Sequence, residues 1–502
     1  MTSKLYSGAL IGLESELVEV EADISFGLPS FIIVGLPDTA IQESRDRVRT
    51  ALKNIGFSFP EYRVTVNLAP ADIKKEGPAY DLPIALAILK ANEQLGETDF
   101  FNSLFIGELS LEAKLRPITG ALAIVLMAKE KKIKNIFLPC QNAEEASLVP
   151  DINIFPVHNL KELISHLTGE KKIPVLKKKI NLKFKEDFGG LDMRNVRGQE
   201  TAKRALEIAA SGGHNLAMTG PPGSGKTILS KTMITIMPRL DLDEVLEVTR
   251  IYSVAKQLSE KKPLMVERPF RSPHHSSSTA SLVGGGRVPK PGEISLAHRG
   301  VLFLDEFPEF PRSVLEALRQ PLEDRVVTVS RVQSTISYPA NFILVTAQNP
   351  CPCGYLGDPQ KECTCTALQV NNYHKKVSGP ILDRIDMFIE VPRIKFEKLS
   401  AEPTAENSVT IRARVEEARA IQRERFKNIA IFTNSEMNNK EIDKYCQLDV
   451  NSKGLLKTAS QKLNLSPRGY FRILKLARTI ADLGKSEHIK SDHLAEALQY
   501  RG

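Results

Sequence analysis

The segment GPPGSGKT at residues 220–227 constrains the fold of this 502-residue sequence more than any other part. The preceding NLAMT is typical of a short strand, and the following TILSKTMITIM is typical of a helix. Glycines at this spacing let the backbone wrap an anion, so that N–H groups at the helix N-terminus bind phosphate. Lys226 can reach the β- and γ-phosphates, and Thr227 can bind Mg²⁺. The segment therefore predicts a strand–loop–helix unit that binds ATP and Mg²⁺ through Gly220, Pro221, Pro222, Gly223, Ser224, Gly225, Lys226 and Thr227.

Two further apolar strands end in polar side chains that fit the same site. GVLFLDE places Asp305 and Glu306 at the end of one strand, and FILVTAQNP places Asn349 at the end of another. An Asp in this position can hold Mg²⁺, and the adjacent Glu can polarise the attacking water. Asn349 can sense the γ-phosphate or position the water, although an Asn at a strand end is often only a turn residue. The pattern predicts a nucleoside triphosphatase.

Residues 189–502 resemble the AAA+ ATPases, in the branch of magnesium-chelatase subunits and MCM-type helicases. VRGQETAKRALEIAASGGHNLAMTGPPGSGKT resembles the opening of that module, RSPHHSSSTASLVGGG resembles its helix-2 insert, and EDRVVTVSRVQSTISYPANF resembles its hairpin before sensor 1. SGPILDRIDMFIEV resembles the arginine-finger segment and implies a catalytic role for Arg384. The segment LSPRGYFRILKLARTIADL resembles the sensor 2 helix of these ATPases. This resemblance implies that Arg468 is the sensor 2 arginine of the catalytic site.

The N-terminal third resembles a second module. ADIKKEGPAYDLPIALAIL, then IGELSLEAKLRPITGA and IFLPCQNAEEA, are similar to the Lon protease domain, a ribosomal S5 domain 2-type α/β fold. Ala79 and Leu122 stand where that family has its catalytic Ser and Lys, so no peptidase activity is expected. This order of modules resembles the ComM/YifB family. The resemblance implies a homo-hexameric DNA motor that promotes branch migration during recombination in natural transformation.

The expected organisation is an α/β multidomain chain. It comprises a Lon-like domain at 1–168, a Lys-rich linker at 169–188, a P-loop ATPase core at 189–392 and a helical lid at 393–502. The formal net charge is +8, with −6 over residues 1–168 and +10 over residues 188–502. A basic balance suits a polyanionic partner but is equally typical of a solvated surface, and the linker is either solvated or a DNA-contacting strip. Apolar runs are too short for a membrane helix, so we expect a cytoplasmic protein without a membrane partner.

Four of the six cysteines form two close pairs: Cys351, Cys353, Cys363 and Cys365. Cytosolic location disfavours a disulfide, and four thiolates can form a closed tetrahedral zinc site. The C-x-C spacing departs from the usual C-x₂₋₄-C, so a Cys-rich loop without metal is the alternative.

Candidate DNA contacts lie in two inserts that the resemblance directs toward a central pore. Residues 270–292 carry Arg271, Arg287 and Lys290, and a hairpin carries Arg331. These cations can pair with phosphates of single-stranded or branched DNA without reading sequence, although a hairpin-tip arginine is often merely solvated. For His274 and His275 we favour a structural or contact role. The main alternative function is a magnesium-chelatase-type ATPase subunit that remodels a partner protein.

Overall fold

The computed structural model describes residues 2–98, 100–176, 188–259, 261–286, 289–331, 334–394, 406–429, 431–463 and 465–501. The chain divides into two compact units. The first comprises Met1–Lys183 and Leu242–Met265, and the second comprises Phe184–Asp241 and Val266–Gly502. Both units are mixed α/β, as the sequence predicts.

Strands and helices alternate along much of the chain. In chain order, the strands are β1 Thr2–Ile11, β2 Glu14–Ser25, β3 Ser30–Val34, β4 Arg63–Ala69, β5 Ser103–Phe105, β6 Glu108–Leu109, β7 Leu115–Arg116, β8 Asn135–Pro139, β9 Asn153–Val157, β10 Leu216–Thr219, β11 Phe270–Arg271, β12 Gly284–Gly285, β13 Lys290–Pro291, β14 Val301–Leu304, β15 Val326–Arg331, β16 Ser334–Pro339, β17 Ile343–Gln348 and β18 Met387–Glu390. The helices are α1 Thr39–Gln42, α2 Ser44–Asn54, α3 Asp81–Ala91, α4 Ala121–Glu130, α5 Ala143–Ala146, α6 Leu160–Leu167, α7 Glu200–Gly212, α8 Lys226–Thr232, α9 Leu242–Val254, α10 Thr279–Val283, α11 Glu293–Leu296, α12 Arg312–Ala317, α13 Arg319–Asp324, α14 Ala367–His374, α15 Gly379–Leu382, α16 Ser408–Arg425, α17 Asn439–Tyr445, α18 Val450–Lys462, α19 Pro467–Leu483 and α20 Ser491–Gln499.

The first unit is built on a seven-stranded mixed sheet in the order β3-β4-β2-β1-β5-β8-β9. Alternation in β2 places Val18 and Val20 in the core, where both are fully buried. Helix α3 is apolar except at Asp81 and Lys90, and every residue except Lys90 is buried, because it packs on this sheet. Leu122 is fully buried in α4, and neither it nor Ala79 carries a group able to act as base or nucleophile.

Two boundaries of the first unit differ from the sequence prediction. The expected solvated linker at 169–188 does not begin at 169, because Ile173 is only 5% exposed in the core and the Leu176 N–H donates to the Ile154 carbonyl at 2.8 Å. Residues 177–187 lie outside the described residues. Residues 242–265 lie within the predicted ATPase core at 189–392, but this segment belongs to the first unit, where the Arg250 guanidinium donates to the Leu13 carbonyl.

The second unit contains a five-stranded parallel sheet in the order β11-β14-β17-β10-β18. Its central strands β14 and β17 are short and buried along almost their whole length, as expected for a parallel sheet covered on both faces. Because all strands run the same way, the segments after β10, β14 and β17 emerge at one edge. The antiparallel hairpin β15–β16 precedes β17, and α16 to α20 form the helical C-terminal region, both as predicted.

Candidate active site

The loop at residues 220–227, here called the phosphate loop, connects β10 to α8. Gly223 and Gly225 have φ values of +75° and +93°, which favour glycine. A Cβ on Gly220 would lie 2.2 Å from the Val391 carbonyl oxygen, so this position also requires glycine. The Lys226 ammonium donates to the carbonyls of Gly220 at 2.6 Å and Pro221 at 3.0 Å. Burial lowers the pKa of Lys226.

The residues expected to bind Mg²⁺ meet at the start of α8. The Thr227 hydroxyl donates to an Asp305 carboxylate oxygen at 2.8 Å, and the Glu306 N–H donates to the other oxygen of that carboxylate at 3.0 Å. A hydroxyl and a carboxylate are the hard oxygen ligands that Mg²⁺ uses beside nucleotide phosphates. The helix N-terminus and the glycine loop supply the anion-binding part, so the residues fit a Mg²⁺–nucleotide complex.

Glu306 occupies an unusual backbone conformation, with φ +52° and ψ +45° in the left-handed region. This conformation is uncommon for a residue other than glycine and is frequent at functional sites. One carboxylate oxygen lies 3.0 Å from Nδ1 of His275, whose ring centroid is 4.0 Å from that of His274. The sequence assigned His275 no catalytic partner. Its position four residues beyond β11, a neighbour of β14 in the sheet, is the signal that points to Glu306.

Asn349 follows β17 and points toward the phosphate loop. Its side-chain oxygen accepts a hydrogen bond from the Lys226 ammonium at 3.3 Å. The structure therefore brings Lys226, Thr227, Asp305 and Asn349 to one edge of the parallel sheet, where the sequence analysis expected them.

Arg384 and Arg468 lie elsewhere in the second unit. Both guanidinium groups bind the carboxylate of Glu323, Arg468 at 3.1 Å. They line a cavity of about 710 Å³, here called the arginine cavity, whose walls include Glu323, Arg325, Arg384, Asp386, Arg468 and Arg472. No residue of the phosphate loop is among the described residues lining it. One chain therefore carries the phosphate loop and the arginine pair as separate sites.

The electrostatics of the arginine cavity favour an anion. The hydrogen bond from Arg384 holds the pKa of Glu323 below its usual range. Burial lowers the pKa of Lys475, another lining residue, to about 8. Burial opposes ionisation of Asp386, but Arg472 and His214 hold the pKa of that carboxyl well below its usual range.

The four clustered cysteines converge in the loop after β17. Cys351, Cys353 and Cys363 have sulfur–sulfur distances of 3.4 to 3.6 Å, and the ligand atoms of all four lie within 4.8 Å of one another. Sulfurs about 2.3 Å from a zinc ion at tetrahedral angles are separated by about 3.8 Å, so the donor set fits Zn²⁺. The same loop packs on the phosphate loop, since a Cβ on Gly354 would lie 2.7 Å from Cδ of Pro222.

The expected DNA contacts are only partly described. Arg331 pairs with Ser334 at the end of hairpin β15–β16, and Lys290 is exposed in β13. Arg287 lies outside the described residues. The guanidinium of Arg271, the remaining cation predicted to contact DNA, instead binds Glu293 through two contacts of 2.6 Å.

Comparison with known proteins places the chain in a family. Models described as subunit ChlI of Mg-chelatase, as magnesium chelatase, subunit ChlI, and as its C-terminal part match residues 20–142, 192–399 and 405–501. Competence protein ComM of Haemophilus influenzae is 44% identical over 99% of this chain and 97% of its own length. The chain belongs to the ComM/YifB family. YifB of Salmonella typhimurium is 41% identical, over 99% of this chain and 96% of its own length.

A further relative matches only part of this ComM/YifB chain. The Lon protease of Desulfovibrio desulfuricans is 25% identical over 178 residues, which are 32% of this chain and 20% of that protein. Across the described residues, no helix combines the length and apolar character needed to span a membrane.

Proposed function

We propose that this ComM/YifB protein is an AAA+ motor that couples ATP hydrolysis to movement on DNA. It would bind single-stranded or branched DNA and promote branch migration during recombination in natural transformation. The name of the 44% identical relative, competence protein ComM, supports the pathway. The observation that supports this proposal most is the set of contacts at the start of α8. Lys226 contacts Asn349, and Thr227 contacts Asp305. Glu306 directly follows Asp305 and is hydrogen-bonded to its carboxylate.

In this proposal the chain's own groups divide the reaction. N–H groups of the phosphate loop and the Lys226 ammonium bind the phosphates, while Thr227 and Asp305 hold Mg²⁺. Mg²⁺ held by Thr227 and Asp305 would neutralise negative charge on the phosphates. The Glu306 carboxylate polarises the attacking water, and its contact with His275 fixes where that carboxylate rests.

The separation of the phosphate loop from the arginine cavity supports a site shared between copies. Arg384 and Arg468 of one copy would stabilise the charge of the γ-phosphate bound by the next copy. A ring of identical subunits closes such head-to-tail contacts, and we propose a homo-hexamer. Hairpin β15–β16 and the insert with Lys290 would contact DNA phosphates.

The cysteine cluster would hold a structural Zn²⁺. Four protein sulfurs leave no open coordination position, so this metal would have no catalytic role. Because the loop packs against Pro222, the metal would stabilise the phosphate loop from one side.

The decisive experiment measures steady-state ATP hydrolysis without DNA and with single-stranded, duplex and forked DNA. We expect single-stranded or forked DNA to stimulate hydrolysis. The magnesium-chelatase-type reading, in which the motor remodels a partner protein, is favoured by the names of the three matching family models. It takes precedence if the protein binds none of these DNAs at low salt.

A further inference from the structure

The arginine cavity contains one carboxylate, Glu323, that has no role in the proposed function. Its lining includes six cations, Arg325, Arg384, Lys440, Arg468, Arg472 and Lys475, and three carboxylates, Glu323, Asp386 and Glu436. The cations therefore exceed the carboxylates, and the cavity favours a further anion.

Two of the three carboxylates are buried and bind arginines in the wall of the cavity. Asp386 is 9% exposed and binds Arg472 at 3.2 Å and the Asn215 N–H at 2.9 Å. Glu436, whose side chain is 4% exposed, binds Arg325 at 3.1 Å. These carboxylates hold structural cations.

Glu323 differs from both. Its side chain is 49% exposed, and its two carboxylate oxygens bind two different arginines, Arg384 and Arg468. Arg384 is 12% exposed, and its Nε has no hydrogen-bond partner among the described residues. Glu323 thus occupies the arginine pair without saturating it, and because it is half exposed it can leave at a small cost in solvation.

Glu323 also stands next to the hairpin expected to contact DNA. It lies in the last turn of α13, and β15 begins three residues later at Val326. The Gln320 side-chain amide donates to the Thr328 hydroxyl at 3.2 Å, and the Ala340 N–H donates to the Arg325 carbonyl at 2.7 Å. The segment that carries Glu323 is therefore hydrogen-bonded to β15 and to the residue directly after β16.

We propose that Glu323 is a resident anion that occupies Arg384 and Arg468 until the γ-phosphate of a neighbouring copy's ATP displaces it. Its release frees α13 and couples nucleotide binding to the position of hairpin β15–β16. In this role Glu323 is a positioning residue, since it acts through Arg384 and Arg468. This inference rests on the proposed shared site.

The first test measures ATP-dependent ring assembly by sedimentation, in a Glu306→Gln background that is expected to bind ATP without turnover. Adding Glu323→Gln removes the competing charge, so half-maximal assembly should need about three- to fivefold less ATP, the scale of one partly exposed ion pair. The matched control is Glu316→Gln, which removes a carboxylate that binds Arg319 at 2.7 Å and does not line the arginine cavity. The control should leave the midpoint unchanged.

The second test measures coupling to DNA in an otherwise unmodified chain. Glu323→Gln should raise ATP hydrolysis without DNA and reduce the stimulation by forked DNA, whereas Glu316→Gln should change neither. If the ATP concentration for half-maximal assembly stays the same or rises in Glu323→Gln, the proposed displacement of Glu323 by phosphate is wrong. Undiminished DNA stimulation overturns the coupling to the hairpin. If the Glu306→Gln reference itself does not assemble with ATP, the shared site fails, and the role of Glu323 falls with it.

Discussion

Two neighbouring acidic residues after β14 have different surroundings, and this difference supports the roles proposed for them. Asp305 is bonded to the Thr227 hydroxyl, whereas Glu306 extends away to His275. A carboxylate beside the loop threonine is placed to hold Mg²⁺, and a carboxylate outside that pair is available to act on water.

This division predicts separate effects of two substitutions. Lys226→Ala should weaken ATP binding, because the ammonium that reaches the phosphates is lost. Glu306→Gln should keep ATP binding and lower turnover by about 100-fold or more, because an amide cannot polarise water. Equilibrium binding of a fluorescent ATP analogue and steady-state hydrolysis separate the two effects.

The control for Glu306→Gln is Glu309→Gln, which removes a nearby carboxylate that binds Lys376 at 2.9 Å. Hydrolysis by this control should stay near that of the unmodified protein. Normal turnover in Glu306→Gln would refute the assignment of Glu306.

At the scale of elements, the cysteine loop and hairpin β15–β16 lie on either side of β17 in the chain. Zn²⁺ is the ligand proposed for the loop, and DNA is the ligand proposed for the hairpin. The loop follows β17 and packs on Pro222, and the hairpin precedes β17. Each element therefore gives a prediction of its own.

For the cysteine loop, metal analysis of the purified protein should find about one zinc per chain. Cys351→Ser should abolish this zinc and lower the melting temperature by about 5 °C or more, since a buried ligand and the metal cross-link are both lost. Cys140→Ser, which alters a cysteine outside the cluster, should retain the metal. Full zinc content in Cys351→Ser would show that the cluster is not the metal site.

For the hairpin, Arg331→Ala should weaken binding to unrelated DNA sequences by a similar factor. The slope of log affinity against log salt should flatten by about one unit, because one fewer phosphate is neutralised. Fluorescence anisotropy over a salt series provides the measurement. Arg423→Ala, which removes an exposed arginine from α16, should leave the slope unchanged. An unchanged slope in Arg331→Ala would exclude a phosphate contact at this position.

At the scale of the whole molecule, local patterns predicted many strands and helices and which side chains meet beside the loop at residues 220–227. Glycine spacing located the phosphate loop, and apolar strands ending in Asp305 and Asn349 predicted which side chains would meet. These features are readable because each depends on a few consecutive residues and on the common edge of parallel strands.

Contacts between residues far apart in the chain could not be predicted from local sequence patterns. Glu323 is 61 residues from Arg384 and 145 residues from Arg468, and no local pattern distinguishes it from other surface glutamates. Segment 242–265 has a helical pattern that does not reveal which unit it packs against. The Lys-rich composition of 169–188 suggested solvation, although Ile173 and Leu176 join the first unit.

The central claim is that ATP is hydrolysed between copies of this chain, with the phosphate loop from one copy and Arg384 from the next. The most direct measurement mixes Lys226→Ala protein with Arg384→Ala protein and follows ATP hydrolysis. Each variant alone should be nearly inactive, since loss of an arginine finger lowers the rate by about 10³–10⁵. In mixed rings some interfaces combine an intact phosphate loop with an intact Arg384, so hydrolysis should recover above that of either variant. Absence of recovery, with mixed rings confirmed by mass spectrometry, would contradict the shared site.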